Sequence, residues 1–174
     1  MAEIKTARLS LCTVIPEYAP RIAELTSDLD VSRMTARIPH PNRTVDVLSW
    51  MAGRGASDEQ VFATLHGGKL IGVCSYSAHG ELGYWVGKPY WGKGFASEMA
   101  RGLIRHVFAT TNRDAIPVSH FADNPASARV IAKCGFVPTG SRRMFSLARG
   151  HEVDALTYRL TRAEAEAQAW WLAT

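Results

Sequence analysis

The order of hydrophobic periodicities in this 174-residue chain predicts an α+β fold, a mostly antiparallel central sheet of six to seven strands flanked by helices. Three observations carry that expectation. Alternating apolar and polar residues mark an opening strand, a three-strand meander fills the middle, and two well-signalled helices separated by a strand follow. A repeating βαβ plan would need a helix between successive strands, and the meander has none.

Taken in order, Arg8 to Val14 puts Leu9 and Leu11 on one face of a first strand. Pro16 and Pro20 flank a short helical pattern carrying Ile22 and Leu25, whereas Pro39 and Pro41 keep the stretch from Asp30 to Arg43 irregular. A second helix is expected from about Asp46 to Ala52, with Thr44 near its start. Gln60 to Leu65 and Leu70 to Tyr76 are strands joined by His66-Gly67-Gly68-Lys69, where the glycines supply the positive φ of a two-residue hairpin loop. A turn then leads into the third strand, Glu81 to Val86. In the helix from about Phe95 to Ala109, Phe95, Met99, Leu103 and Val107 repeat at i, i+4 and form one buried stripe.

Ile116 to Phe121 reads as a further strand. The next helix is signalled at both ends, by Asn124 as N-cap with Pro125 in the first turn and by Gly135 just past the end. Two last strands, roughly Arg142 to Leu147 and Asp154 to Leu160, meet around Arg149-Gly150. Thr161-Arg162-Ala163-Glu164 has the form of a capping box opening a terminal helix.

Composition narrows the function classes. At 47% hydrophobic and 21% charged residues, residues 1–174 suit one globular domain. No apolar run approaches the roughly 18 residues of a membrane span, and the N-terminus lacks a signal-peptide hydrophobic region, so a cytoplasmic protein without a membrane partner is expected. Cys12, Cys74 and Cys134 are scattered, which suggests reduced thiols rather than a disulfide framework. The six histidines form no HxxxH or HExxH pattern, so no metal is expected. The net charge of +4 favours an anionic ligand, yet lysines and arginines are dispersed and no basic stripe points to direct nucleic-acid contact.

The segment Gly83 to Met99, GYWVGKPYWGKGFASEM, hands a strand over to a helix through Gly92-Lys93-Gly94. Such a glycine-bare helix entrance suits phosphate, because unpaired amides and the helix dipole point at the anion. The P-loop pattern is nearly met from Gly87, but Gly94 stands where the metal-holding hydroxyl belongs. The dinucleotide pattern is half met and requires parallel βαβ units, which the preceding meander denies.

A third solution fits better. Trp91-Gly92-Lys93-Gly94-Phe95-Ala96 resembles the pyrophosphate loop [QR]-x-x-G-x-[GA] of the GNAT superfamily of acetyl-CoA-dependent N-acetyltransferases, with Trp91 at a position usually held by glutamine or arginine. Gly83 to Met99 as a whole is similar to the ribosomal-protein N-terminal (alanine/serine) acetyltransferase branch. A second block, Asp123 to Val130 with Lys133 to Phe136, resembles that family's N-x-x-S…K-x-G-F element. Thr6 to Leu11 and Ile38 to Pro41 extend the resemblance over nearly the full chain.

The resemblance implies a GNAT-like splayed sheet and an acyltransferase using acetyl-CoA as cosubstrate, with no metal. Its acceptor would be a primary amine: a protein N-terminal α-amine first, a small amine such as an amino acid, polyamine or antibiotic second. A non-catalytic CoA-binding sensor or interaction module is the alternative from another class. By resemblance, Tyr84 and Val86 offer backbone groups to the pantetheine arm, Gly92, Lys93, Gly94, Phe95, Ala96 and Ser97 hold the pyrophosphate, and Asn124 bonds the arm besides capping its helix. By the same resemblance, Ser127 stands where a hydroxyl can bond or protonate the departing thiolate. Glu81 is the first candidate for the base, with His79 and His120 open as alternatives. Glu98 is expected to support the loop rather than act chemically. The acceptor pocket is expected from Asp30–Arg43 and Arg149–Asp154. A homodimer through edge strands or the Trp170-Trp171 tail is one option, and packing of that tail on its own domain is the other.

Overall fold

The computed structural model describes residues 3–53 and 58–173. The opening alternation forms β2 (Leu9–Thr13), which buries Leu9 and Leu11 and pairs antiparallel with the two-residue β1 (Ile4–Lys5). The meander follows as β3 (Gln60–His66), β4 (Lys69–Tyr76) and β5 (Leu82–Val86). Gly67 and Gly68 turn the first hairpin with φ of 56° and 77°, the left-handed values that a two-residue loop of this kind requires. β6 is Ala115–Phe121, and the chain closes its sheet with β7 (Val137–Ser146) and β8 (His151–Thr161). The strand order is β1-β2-β3-β4-β5-β6-β8-β7, and every neighbouring pair is antiparallel except β5–β6.

Eight strands stand among the described residues, against six or seven expected. Ile4–Lys5 is too short to show alternation and is a strand only because Ser10 and Leu11 lie opposite it. β7 begins five residues before the expected Arg142 and carries Pro138 and Gly140, residues that weaken a strand signal. As the sheet edge it tolerates the missing N–H, and its register shifts between Pro138 and Gly140.

The helices cover both faces. α1 (Ala19–Thr26) and α3 (Thr44–Gly53) pack Ile22, Leu25 and Val47 against Val61, Ala63 and Val73 of the sheet. Between them lies α2 (Leu29–Ser32), a four-residue helix in a stretch expected to be irregular, nucleated by Asp28 accepting the Asp30 N–H at 2.9 Å. On the other face, α4 (Phe95–Thr110) buries the expected Phe95, Met99, Leu103 and Val107 stripe beside α5 (Pro125–Cys134). α5 ends at Gly135 with φ 91°, the left-handed stop its sequence announced. The Thr161–Glu164 capping box opens α6 (Arg162–Glu166), and α7 (Ala169–Leu172) follows. Trp170 and Trp171 pack on α4 of their own chain, with Arg105 Nη2 donating to both tryptophan carbonyls at 2.6 Å. No helix of the described residues is long and apolar enough to cross a membrane.

Candidate active site

Adjacent parallel strands β5 and β6 share a single bridge, Leu82 opposite Val118, and diverge beyond it. The antiparallel register on the other side of β5 fixes what faces that gap. Gly87 N–H donates to Ile71 carbonyl at 2.8 Å next to the Gly72–Val86 pair. Hydrogen-bonded and non-bonded pairs alternate, so the backbone groups of Tyr84 and Val86 turn away from β4 and into the gap. A cleft of about 1270 Å³ occupies it and reaches both faces of the sheet. Tyr84 and Val86 point their side chains toward α4, and Trp85 points toward α1.

The glycine loop closes one end of the cleft. Gly92 and Gly94 have φ of 74° and 80°, and Gly94 is the N-cap of α4 with no side chain bonding the helix's first amides. Those amides are therefore open to an anion, at the positive end of a 16-residue helix. Phe95 is buried under Arg8, so of this residue only the backbone serves the loop; Ala96 and Ser97 line the cleft. Lys93 folds back, its Nζ donating to Pro89 carbonyl at 3.1 Å. The Trp91 indole N–H donates to Val86 carbonyl at 2.6 Å. The departure from the family's glutamine or arginine thus satisfies a carbonyl that the splayed strand leaves bare.

Glu98 braces this loop, as its sequence position suggests. It accepts from Thr6 hydroxyl at 2.6 Å, from Arg8 N–H at 2.7 Å and from Arg8 Nε at 2.7 Å, while Arg8 Nη1 donates to Lys93 carbonyl at 3.1 Å. Burial opposes ionisation of Glu98, but these bonds outweigh it and hold the pKa below its ordinary 4.5. A carboxylate depressed in the folded state contributes stability that is fully present above the unfolded value and is lost as pH falls through the folded one. Glu98→Gln is therefore expected to lower stability by about 1–3 kcal/mol at pH 7, with a gap to wild type that narrows as pH falls below the ordinary 4.5. Thermal unfolding at pH 7 and about pH 3 checks this; an equal gap at both would remove the charge as its source.

The cofactor-side wall brings Tyr84 and Ser127 together. The phenol and the serine hydroxyl lie 2.8 Å apart, and Ser127 N–H donates to Asn124 Oδ1 at 3.1 Å. Burial pushes the Tyr84 phenol up from its ordinary 10.0, against the opposing effect of the Ser127 bond, so it stays protonated. The sequence points to a backbone role only for Tyr84; no local signal reveals a partner 43 residues away. Asn124 spends Oδ1 on its cap.

The three candidate bases differ sharply in setting. Glu81 Oε1 accepts from Ser119 hydroxyl at 2.7 Å and from Arg142 Nη2. His120 is buried with both ring nitrogens engaged, Nδ1 with Phe121 carbonyl at 2.7 Å and Nε2 with Tyr158 hydroxyl at 3.2 Å. His79 is exposed at the rim.

The far wall joins the two segments expected to shape an acceptor pocket. Arg149 forks onto Asp123 at 2.8 and 3.1 Å, donates through Nε to Arg33 carbonyl at 2.8 Å and covers the Phe121 ring. Leu147 N–H donates to Ala36 carbonyl at 2.9 Å, so the β7–β8 turn and residues 33–36 form one wall. Among the described residues no group of His, Cys, Asp or Glu side chains could hold a metal ion.

A splayed parallel pair and an open glycine-loop helix entrance leave a cleft through the sheet that suits an extended ligand with an anionic end. The acetyltransferase (GNAT) domain family model matches residues 8–137, and the chain belongs to that family. It is an N-acetyltransferase using acetyl-CoA. The chain is 24% identical over 175 residues to an uncharacterized N-acetyltransferase, p20, of Bacillus licheniformis, covering 94% of this chain and 98% of the relative. Its fold matches RimL, a ribosomal alpha-N-protein acetyltransferase solved with coenzyme A, with TM-score 0.79 at 16% identity over 94% of this chain and 99% of that one. It also matches the spermidine N-acetyltransferase of Vibrio cholerae solved with CoA and spermine, with TM-score 0.77 at 17% identity over 92% of this chain and 99% of that one.

Proposed function

We propose that this enzyme acetylates a protein N-terminal α-amine in the cytoplasm, by direct attack of the neutral amine on the acetyl carbonyl. One observation carries the choice of acceptor: the buried candidate base is fully engaged and the best-placed one is a carboxylate already paired with a guanidinium. Such a site suits an amine that is partly neutral unaided. An α-amine near pKa 7.8 is neutral in about one molecule in seven at pH 7, a lysine near 10.4 in about one in 2,500, a further cost of roughly 3.5 kcal/mol. The resemblance to ribosomal-protein acetyltransferases supports the same acceptor.

In this reading the amine nitrogen bonds the acetyl carbon, the carbon–sulfur bond breaks, and the amine proton passes to Glu81 through a water. The backbone N–H of Val86 faces the developing oxyanion. Ser127, with Tyr84 behind it, gives a proton to the departing thiolate and regains one from cleft water, which takes up the proton that Glu81 releases. Gly92 to Ser97 hold the pyrophosphate through their amides, with Lys93 adding its charge nearby, and Asn124 sets the α5 entrance. Thiol release measured with an N-terminal peptide, N-α-blocked lysine and spermidine tests the reading. The peptide is expected to exceed both in kcat/KM at pH 7 by about 300-fold, in line with the neutral fractions. A preference for spermidine would overturn the acceptor, and absence of turnover with every amine would return the chain to a CoA-binding module.

A further inference from the structure

The acceptor face of the cleft holds a set of ion pairs that acetyl transfer by itself does not require. Arg142 reaches from edge strand β7 past β8, places Nη2 on the Glu81 carboxylate and donates to Ser119 hydroxyl at 3.0 Å. Only one oxygen of Glu81 is used. Its Oε2, and Nε and Nη1 of Arg142, have no hydrogen-bond partner among the described residues. The two side chains are 32% and 44% exposed, so a ligand in the cleft can reach both. Beside them Arg37 forks onto Glu59 at 2.9 and 2.5 Å, and Glu81 lies close enough to favour the Arg37 charge.

Among the described residues, two guanidinium groups thus face two carboxylates, and these four charges cancel. The same balance holds for the whole cleft wall, where, histidines apart, five acidic and five basic residues line the described surface. An acceptor ammonium arriving at Glu81 Oε2 adds one positive charge, and a polyamine adds several. Unbalanced charge in a partly desolvated cleft is costly. An acceptor that brings its own carboxylate keeps the balance, and the open N–H groups of Arg142 can fork onto it.

We propose that the acceptor carries a carboxylate close to its reacting amine, the ammonium received by Glu81 and the carboxylate by Arg142. For a protein N-terminus this means an acidic residue at the first or second position. The proposal rests on the acetyl-transfer reading and narrows its acceptor class.

Three peptides of equal length, Ser-Glu, Ser-Gln and Ser-Lys at their N-termini, test it with acetyl-CoA and wild-type enzyme. Free serine and serinamide form a second arm, which separates an α-carboxylate from a side-chain one. The expected order in kcat/KM is Glu over Gln over Lys, with about tenfold or more between the ends, or serine over serinamide by a similar factor. Arg142→Glu is expected to invert the peptide order, and Arg142→Gln to bring the ratio near one. Wild-type rates indifferent to the carboxylate in both arms would overturn the proposal, as would an acidic preference that survives in Arg142→Glu. No turnover with any acceptor, despite acetyl-CoA binding, would instead sink the acetyl-transfer reading beneath it. The wild-type series decides without reference to whether either variant folds.

Discussion

Ser127→Ala is expected to lower kcat by about 100-fold or more while the Kd for acetyl-CoA stays within about threefold, because in the proposed mechanism the hydroxyl acts on the leaving thiolate and not on the bound cofactor. Tyr84→Phe removes the phenol that lies 2.8 Å from that hydroxyl and is expected to cost about tenfold in kcat. The double variant decides how the two are connected. If Tyr84 acts through Ser127, its removal from a Ser127→Ala background costs little more, and the two losses do not add. Additive losses would give Tyr84 a separate role. Wild-type kcat in Ser127→Ala would remove the serine from the mechanism, and a parallel loss of acetyl-CoA affinity would make it a binding residue. Because the Tyr84 phenol is held protonated, neither variant is expected to shift the pH profile on its alkaline side below pH ~9.

Gly94→Val is expected to raise the Kd for acetyl-CoA by about 30-fold or more. The cause is conformational and not steric. A Cβ at Gly94 would meet nothing nearer than Arg8 Nη2 at 3.5 Å, but its φ of 80° is one that a β-branched residue adopts only at a cost of about 1–3 kcal/mol. The loop relieves that strain by turning its amides out of the phosphate position, and each charge-assisted bond lost weakens binding by about tenfold. Gly94→Asn is the control, since asparagine tolerates the left-handed region. It is expected to keep the Kd within about fivefold. Equal and large losses in both would point to crowding; no loss in either would show that the loop amides do not hold the pyrophosphate.

Local signals in this chain are legible because local physics sets them. The positive φ at Gly67-Gly68, the Asn124 cap with its Gly135 stop, and the Thr161–Glu164 box each involve residues within a few positions of one another. The glycine loop and the Asn124–Ser127 block belong to the same class, and these two blocks alone point to the acetyl-CoA family. Glu98 reads as a brace from its place on the helix after the loop. Its three bonds to Thr6 and Arg8 bear that out, although the partners lie 90 and 92 positions away.

What lies beyond the sequence is the occupancy of the site. Glu81 looks like an open carboxylate at a turn; packing of the sheet edge brings Arg142 onto it from 61 residues further along the chain. Tyr84 looks like a strand aromatic, and only the docking of α5 against the sheet aims its phenol at Ser127. Trp91 looks like a defect in a motif, and the splay of β5 from β6 gives it a carbonyl to satisfy. By itself the sequence determined most of the elements, though not β1, α2 or the start of β7, together with the glycine-bare helix entrance and the class of chemistry, since propensity, capping and φ preference act over a few residues. Only the tertiary structure decided which polar groups remain free in the cleft, because pairing across a sheet joins residues that no local rule connects.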